Sequence, residues 1–387
     1  MKKLVFIFDV PALKNDVQKF SLDELLESDY EIEIVDASPV LNPDVDKALT
    51  ADRFCDERFA YQTIRDYKTL VNYIRDNREA FFFPMFDHYY ETRIVYRLFT
   101  KYKVRYGYVN NAMTDLVLKA EVEDAEDYSE NHTFMHYVKA FYHRIGRYLT
   151  PHRPAEFIVF GGTAGEDSHF HNGECKEGVT KRVYLWTYNY EAFDRTEAYN
   201  NGGKKYAVFL DQYMPYHPDV VIKRGAKINP EQYFQEVNEV FDYAMEKYGV
   251  ETIIAAHPRA DYRQYGDVFH GRQIIYGKTS ELIKGCEFIF SNSSGANAYA
   301  AIANKPIVLI NRKATQDYAH ATNLFEEYVN LLQCSAIRVQ EDIAAVDYYH
   351  INTEAYSNFW KLYVMSAEEK KQDFWKEVLK NVEGVEA

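Results

Sequence analysis

Cysteine is scarce in this chain of 387 residues. There are four, Cys55, Cys175, Cys286 and Cys334, and no two of them form a CxxC pair. That spacing excludes a zinc knuckle and gives no disulfide framework, and it suits a reducing cytoplasm. Positive charge is in deficit: 45 Lys and Arg stand against 59 Asp and Glu, for a net charge of -14. A protein whose main task is gripping nucleic acid would carry a basic face instead. Long apolar runs are missing too. Near the N-terminus two lysines precede the apolar run Leu4–Phe8, which stops at Asp9, too short for the core of a signal peptide. No stretch approaches the roughly 18 apolar residues that a membrane-spanning helix needs. No internal repeat or low-complexity segment appears.

What is present is enough apolar material for a large core, at 47% of residues, with 27% charged, an ordinary balance for a globular protein. The 34 tyrosines and 25 phenylalanines can stack on sugar C–H groups, but compositional bias produces the same abundance, so the count assigns no role.

Short apolar runs alternate with helix-length segments. Strands are expected at Lys3–Phe8, Tyr30–Val35, Ala80–Phe86, Val104–Val109, Glu156–Phe160 and Arg182–Thr187. Helices are expected near Leu13–Glu27, Tyr61–Arg75, Tyr90–Lys101 and His132–Leu149. The pattern restarts with strands Tyr206–Leu210, Thr252–Ala256, Gln273–Tyr276, Phe288–Phe290 and Ile307–Ile310. Helices are expected there at Pro230–Tyr248, Ser280–Lys284 and Ser294–Ala303, and a last amphipathic helix near Lys361–Val382. Two consecutive βαβ series predict an α/β protein of the GT-B type, with two Rossmann-like domains whose mainly parallel sheets face a central cleft. The polar stretch Thr196–Lys205, with Asn200-Asn201-Gly202-Gly203, reads as the hinge. The expected division is 1–200 for an acceptor-side domain, 201–360 for a donor domain, and 361–387 for a C-terminal helix packing back on the first domain.

In open parallel sheets ligands sit beyond the carboxyl ends of the strands, so functional residues are sought just after strands. Three segments of the second half qualify: His257-Pro258-Arg259, Tyr276-Gly277-Lys278-Thr279-Ser280, and Ser291-Asn292-Ser293-Ser294-Gly295. Ser293 or Ser294 would open a helix, whose N-terminus presents free N–H groups to a phosphate, and Gly295 permits close approach. His257 can donate to a phosphate oxygen and, protonated, offset charge on a leaving nucleotide. The middle segment suits base and ribose. Taken singly, each reads more readily as a cap, a turn or a solvated lysine; their order along the chain carries the argument.

The run Ile253–Ile310 resembles the donor domain of bacterial polysialyltransferases and capsule polysaccharide transferases. His257-Pro258 matches their HP motif, Ser293-Ser294 their serine pair, and Lys305-Pro306-Ile307-Val308 their turn into the next strand. The resemblance covers roughly 60 residues. It implies an inverting glycosyltransferase in which His257, Ser293 and Ser294 contact the nucleotide of a CMP-sugar carrying a nonulosonic acid. It also implies a surface glycan or lipid-linked oligosaccharide as acceptor, and a cytoplasmic location with peripheral attachment to the membrane. No tightly bound cofactor, no metal and no nucleic-acid partner is expected. His169 and His171 near Glu174 and Cys175 are too loosely spaced for a zinc site.

An inverting transferase needs a base for the acceptor hydroxyl. The family's acidic pair is followed by Gly, whereas here Glu166-Asp167 is followed by Ser168 and preceded by Gly165. The ranking is Asp167 or Glu166, placed by the Gly161-Gly162-Thr163 turn, then Asp9, then Asp87. Asp211 and Gln212, also after a strand, are expected to line the cleft. Competing readings are a CDP-glycerol-type phosphotransferase or sugar-nucleotide epimerase on the same fold, and a non-catalytic nucleotide-binding protein.

Overall fold

The computed structural model describes residues 2–13, 16–47, 53–110, 152–164, 166, 170, 173–217, 220–221, 226–258, 260–367, 370 and 372–384. The expected helix His132–Leu149 lies outside them. Two compact units emerge. Among the described residues, unit 1 gathers 2–110, 152–192 and 362–384, and unit 2 spans 193–361.

Unit 1 is built on strands β1 (Lys2–Phe8), β2 (Tyr30–Asp36), β3 (Ala60–Thr63), β4 (Phe81–Pro84), β5 (Arg105–Tyr106), β6 (Tyr108–Asn110), β7 (Phe157–Phe160) and β8 (Lys181–Tyr184). They form ladders in the orders β3-β2-β1-β4-β5 and β6-β7-β8, with parallel pairing throughout. The expected strand Val104–Val109 is broken at Gly107, where a Cβ would come within 2.7 Å of the Phe157 ring. The Gly107 N–H turns to Phe82 O at 3.1 Å. The halves on either side then pair with different neighbours, which links the two ladders. The expected helix Leu13–Glu27 is also broken. Ser21 takes a left-handed conformation (φ 52) between the short helix Asp16–Lys19 and the 3-10 turn Leu22–Glu27. The start of the expected helix Tyr61–Arg75 is instead β3, and the helix runs Tyr67–Asp76 with Asp66 as its cap.

The last expected helix is two helices, Thr353–Tyr363 and Phe374–Glu383. Between them the chain is held by backbone bonds to unit 1: Thr187 N–H to Val364 O at 2.9 Å and Ser366 N–H to Leu185 O at 2.9 Å. A helical backbone there would forfeit both bonds. Trp375 then packs edge-on against Phe6 and Phe83 at 5.1 and 5.3 Å, and its indole N–H donates to Phe20 O at 2.7 Å.

Unit 2 carries β9 (Tyr206–Leu210), β10 (Glu251–Ala256), β11 (Ile274–Tyr276), β12 (Ile289–Ser291), β13 (Ile307–Asn311) and β14 (Ser335–Arg338). The order is β11-β10-β9-β12-β13-β14, all pairs parallel. Helix Pro230–Tyr248 begins at Asn229, whose side chain accepts from Gln232 N–H, and stops at Gly249 in the left-handed region (φ 63). Its buried face, including Val237, Val240 and Phe241, covers Phe209 and Phe290 of the sheet. Read in chain order, the sheet starts at β9, grows outward to β11, and then restarts at β12 on the other side. The point of reversal lies between β9 and β12. There neighbouring connections leave in opposite directions and open a crevice at the carboxyl edge. Unit 1 has the same arrangement between β1 and β4.

Candidate functional site

At the reversal point of unit 2, three loops are tied together by side chains. Asp211, immediately after β9, is buried. One carboxylate oxygen accepts from Tyr213 N–H at 2.8 Å and the other from His257 N–H at 3.1 Å. Burial raises the Asp211 carboxyl above its usual range, and the two backbone donors pull it back. Tyr213 is held at φ 55, a conformation rare for a bulky residue. Gln212 reaches the other way. Its Oε1 accepts from Ser293 N–H at 2.8 Å, across the gap between β9 and β12. Asn292 is buried beneath, accepting from the Tyr233 hydroxyl at 2.9 Å and donating to Ile310 O at 2.6 Å.

This scaffold leaves specific groups at the carboxyl edge. His257 is half-buried, with the His217 ring edge-on at 4.8 Å. Ser294 accepts from Ala296 N–H at 3.2 Å and starts the turn Gly295–Asn297, which runs into helix Ala298–Ile302. A Cβ added at Gly295 would meet nothing within 4 Å, so the space beside this backbone is open. The structure therefore puts His257 after β10 and Ser293, Ser294 and Gly295 after β12, the two strands that flank β9, with Pro258 exposed beside His257. Arg259 lies outside the described residues. Tyr276, Gly277 and Lys278 are exposed at the end of edge strand β11, where Tyr276 pairs opposite Ala256. Thr279 and Ser280 begin the helix Thr279–Gly285 there. This segment is one strand further from the reversal point than His257.

In unit 1, Asp9 follows β1 and is buried. Its Oδ2 accepts from Asn42 Nδ2 at 2.9 Å and from the Tyr89 hydroxyl. Burial pushes the Asp9 carboxyl up to about 6, with the nearby Asp87 charge adding to the rise, while the donors from Asn42 and from the backbone of Asp9 and Val10 oppose it. Asp87 itself is exposed after β4, with the Tyr108 hydroxyl 3.4 Å from its Oδ1. Glu166 is engaged by Arg182 at 2.8 Å and by the Tyr184 hydroxyl. Asp167 lies outside the described residues. The Gly161-Gly162 turn serves the chain itself. A Cβ on Gly162 would stand 2.1 Å from Leu362 O, and one on Gly161 would stand 2.3 Å from Thr187 Cγ2.

Sequence reasoning did not name Asn42, Tyr89 or Tyr233, whereas Tyr213 and His217 fall in the polar and aromatic segment Leu210–Asp219 that was expected to line the cleft. Asn42 lies 33 residues from Asp9 and Tyr89 lies 80, and no local pattern links them. A separate open groove of about 800 Å³ runs along helix Pro230–Tyr248, lined among others by Tyr216, Phe234, Val268 and His270; His257 and Ser293 do not border it. Among the described residues no group of three His, Cys, Asp or Glu side chains is arranged to hold a metal, and no helix is long and apolar enough to cross a membrane.

No family model matches the chain, and no curated protein matches it. Solved structures do. S. aureus MnaA, in a co-structure with UDP, is similar over 100% of this chain and 98% of its own, at 14% identity and a TM-score of 0.51. The UDP-GlcNAc 2-epimerase of Methanocaldococcus jannaschii (92% of this chain, 97% of that one, 12% identity, TM-score 0.45) and Acinetobacter baumannii MurG (93% and 95%, 6%, 0.44) are also similar.

The fold class is GT-B. Each of the two Rossmann-like units has its reversal point between its first and fourth strands, and residues 362–384 return from the second unit to the first. At this level of identity the likeness speaks for the fold. Chemistry rests on the residues at the two carboxyl edges.

Proposed function

We propose that the protein is a nucleotide-sugar-dependent glycosyltransferase that binds the nucleotide of its donor at the carboxyl edge of the unit 2 sheet. The observation that carries this reading is the Gln212–Ser293 bond across the reversal point together with the Asp211–His257 bond beside it. These fix a histidine and a serine-opened turn around open space at Gly295. Backbone N–H groups at such a turn bind phosphate oxygens, and the imidazole of His257 offsets charge on the departing nucleotide. The HP and serine-pair motifs favour a CMP-sugar carrying a nonulosonic acid, transferred with inversion to a glycan or lipid-linked acceptor.

A second reading, epimerisation of a UDP-sugar, is favoured by the likeness to the MnaA–UDP structure over the whole chain. The two differ in nucleotide and in product. A thermal-shift panel of CMP, CDP, UDP, GDP and their sugars separates the nucleotides, and mass and NMR analysis of products separates transfer from epimerisation. On the first reading a cytidine nucleotide raises the melting temperature. His257→Ala is then expected to lower turnover by at least about a hundredfold. A protein stabilised by none of the nucleotides sinks both readings. Stabilisation by UDP alone, with an epimerised sugar as product, replaces the first by the second.

A further inference from the structure

Four asparagines are buried among the described residues of unit 2: Asn238, Asn292, Asn297 and Asn311. Three of them use both ends of the side-chain amide. Asn238 donates to Val268 O at 2.8 Å and accepts from Arg272 at 2.7 Å. Asn292 donates to Ile310 O and accepts from the Tyr233 hydroxyl. Asn311 donates to Thr322 Oγ1 at 3.2 Å and accepts from the Thr315 hydroxyl at 2.9 Å. The fourth uses neither end. Asn297 is 0% exposed, and among the described residues its Nδ2 and Oδ1 have no hydrogen-bond partner. Burying a polar group unpaired forfeits its hydration for nothing in return, so such groups are few in native structures and call for an explanation.

The place of Asn297 in the fold supplies one. It closes the turn Gly295–Asn297 after β12 and precedes helix Ala298–Ile302. Its backbone is already helical (φ -58, ψ -30), so its Cα–Cβ bond tilts toward the N-terminus of that helix. This end of the helix is the carboxyl edge of the sheet, where the space beside Gly295 is open. The turn is held by local bonds, Asn297 N–H to Ser294 O at 2.9 Å and Ala296 N–H to Ser294 Oγ at 3.2 Å, and Gly295 is exposed. An amide offers donors at Nδ2 and an acceptor at Oδ1. An ionised phosphate only accepts, and would leave Oδ1 unpaired. Hydroxyls both donate and accept, and the vicinal pair on a ribose matches the two ends of the amide together.

We propose that Asn297 recognises the ribose of the donor nucleotide, with Nδ2 donating to one ribose hydroxyl and Oδ1 accepting from the other, once the Gly295 turn shifts to uncover the amide. The proposal deepens the nucleotide-sugar reading and rests on it. It holds for a cytidine and a uridine nucleotide alike, since both carry the same ribose. The ligand-free chain bears the unpaired amide, and ribose binding relieves it. A site built to bond hydroxyls rejects the analogue that lacks them, because its own buried groups are then left unpaired.

The test uses the full chain and calorimetry with CMP and UDP and with their 2′,3′-dideoxy counterparts. Wild type is expected to bind the ribonucleotide about tenfold or more tighter than the dideoxynucleotide. Asn297→Ala and Asn297→Leu are expected to bring the ribonucleotide down to the dideoxy value and to leave the dideoxy affinity unchanged. A residue that merely shaped the turn would lower both affinities together and keep their ratio. The second readout is the side-chain amide resonance of Asn297, assigned by its loss in Asn297→Leu. It is expected to shift on adding the ribonucleotide and to stay in place with the dideoxynucleotide. A wild type that binds both ligands equally, or a preference for the ribonucleotide that survives in both variants, overturns the proposal and leaves the nucleotide reading intact. If neither CMP nor UDP binds to wild type, the nucleotide reading itself falls and takes this proposal with it.

Discussion

The backbone N–H of His257 donates to the carboxylate of Asp211 at 3.1 Å, and that carboxylate's other oxygen accepts from Tyr213 N–H at 2.8 Å. One buried aspartate thus holds the loops that leave two neighbouring strands, β9 and β10. Asp211→Asn replaces one acceptor by an amide that faces an N–H. Hydrogen bonds to a charged group contribute about 1.5–3 kcal/mol, so urea unfolding is expected to register a loss of that order. Nucleotide affinity, read by calorimetry, should fall about tenfold as His257 loosens. Unchanged affinity would remove Asp211 from the site's construction.

The pH dependence of stability carries a second expectation. The Asp9 carboxyl binds its proton more tightly folded than unfolded, because folding lifts it from 3.8 to about 6. Its contribution is therefore fully present below the unfolded value and is lost as pH rises through the folded one. The loss is about 3 kcal/mol. Asp9→Asn should flatten the stability curve between pH 4 and 6 and be more stable than wild type at pH 7.5. Denaturant midpoints across that window measure it, and parallel curves for the two proteins would contradict it.

Gly162 admits no side chain without moving the returning backbone, since a Cβ would lie 2.1 Å from Leu362 O. The obstacle is main chain, which yields little. Gly162→Ala is expected to destabilise unit 1 by about 3 kcal/mol or more, visible as a lowered melting temperature. The same change at Gly203, where a Cβ meets nothing within 4 Å but φ is 81, should cost only about 1 kcal/mol of backbone strain.

Trp375 fills the space between Phe6 and Phe83 and ties its indole to Phe20 O. Trp375→Ala is expected to cost about 3–5 kcal/mol. The loss should appear in hydrogen exchange of β1 and β4 and leave the exchange of β9 and β12 unchanged. Uniform loss across both units would show that their stabilities are not separable.

The βαβ alternation and the restart after residue 200 were enough to read the GT-B class. Parallel strands buried on both faces leave continuous apolar runs such as Leu4–Phe8 and Ala207–Leu210. Edge strands were harder. β3 buries none of its residues and β14 only Ile337, and they carry Arg, Gln and Ser, so they lack that signature. The strand-end rule selects Asp9, Asp211, His257 and Ser293 because local sequence alone places a residue after a strand. It is blind to which distant side chains close on them. Asn42 and Tyr89 come to Asp9 only through the parallel register of β2 and β4 with β1. The Gly161-Gly162 pair shows the converse: glycines that look made for a ligand are taken up by the protein's own chain, at Thr187 and at the end of helix Thr353–Tyr363.

That returning chain has a consequence for how the protein is made. Residues 362–384 belong to the unit that opens the chain, and Trp375 covers a hydrophobic face built from Phe6 and Phe83. All strands of unit 2 lie between Phe83 and Trp375 in the chain, so on the ribosome this face waits for its cover until that later-made unit has all of its own strands. Translation order and order of completion are therefore reversed. The nascent chain carries this apolar face uncovered throughout the synthesis of unit 2, the period in which chaperones protect such surfaces.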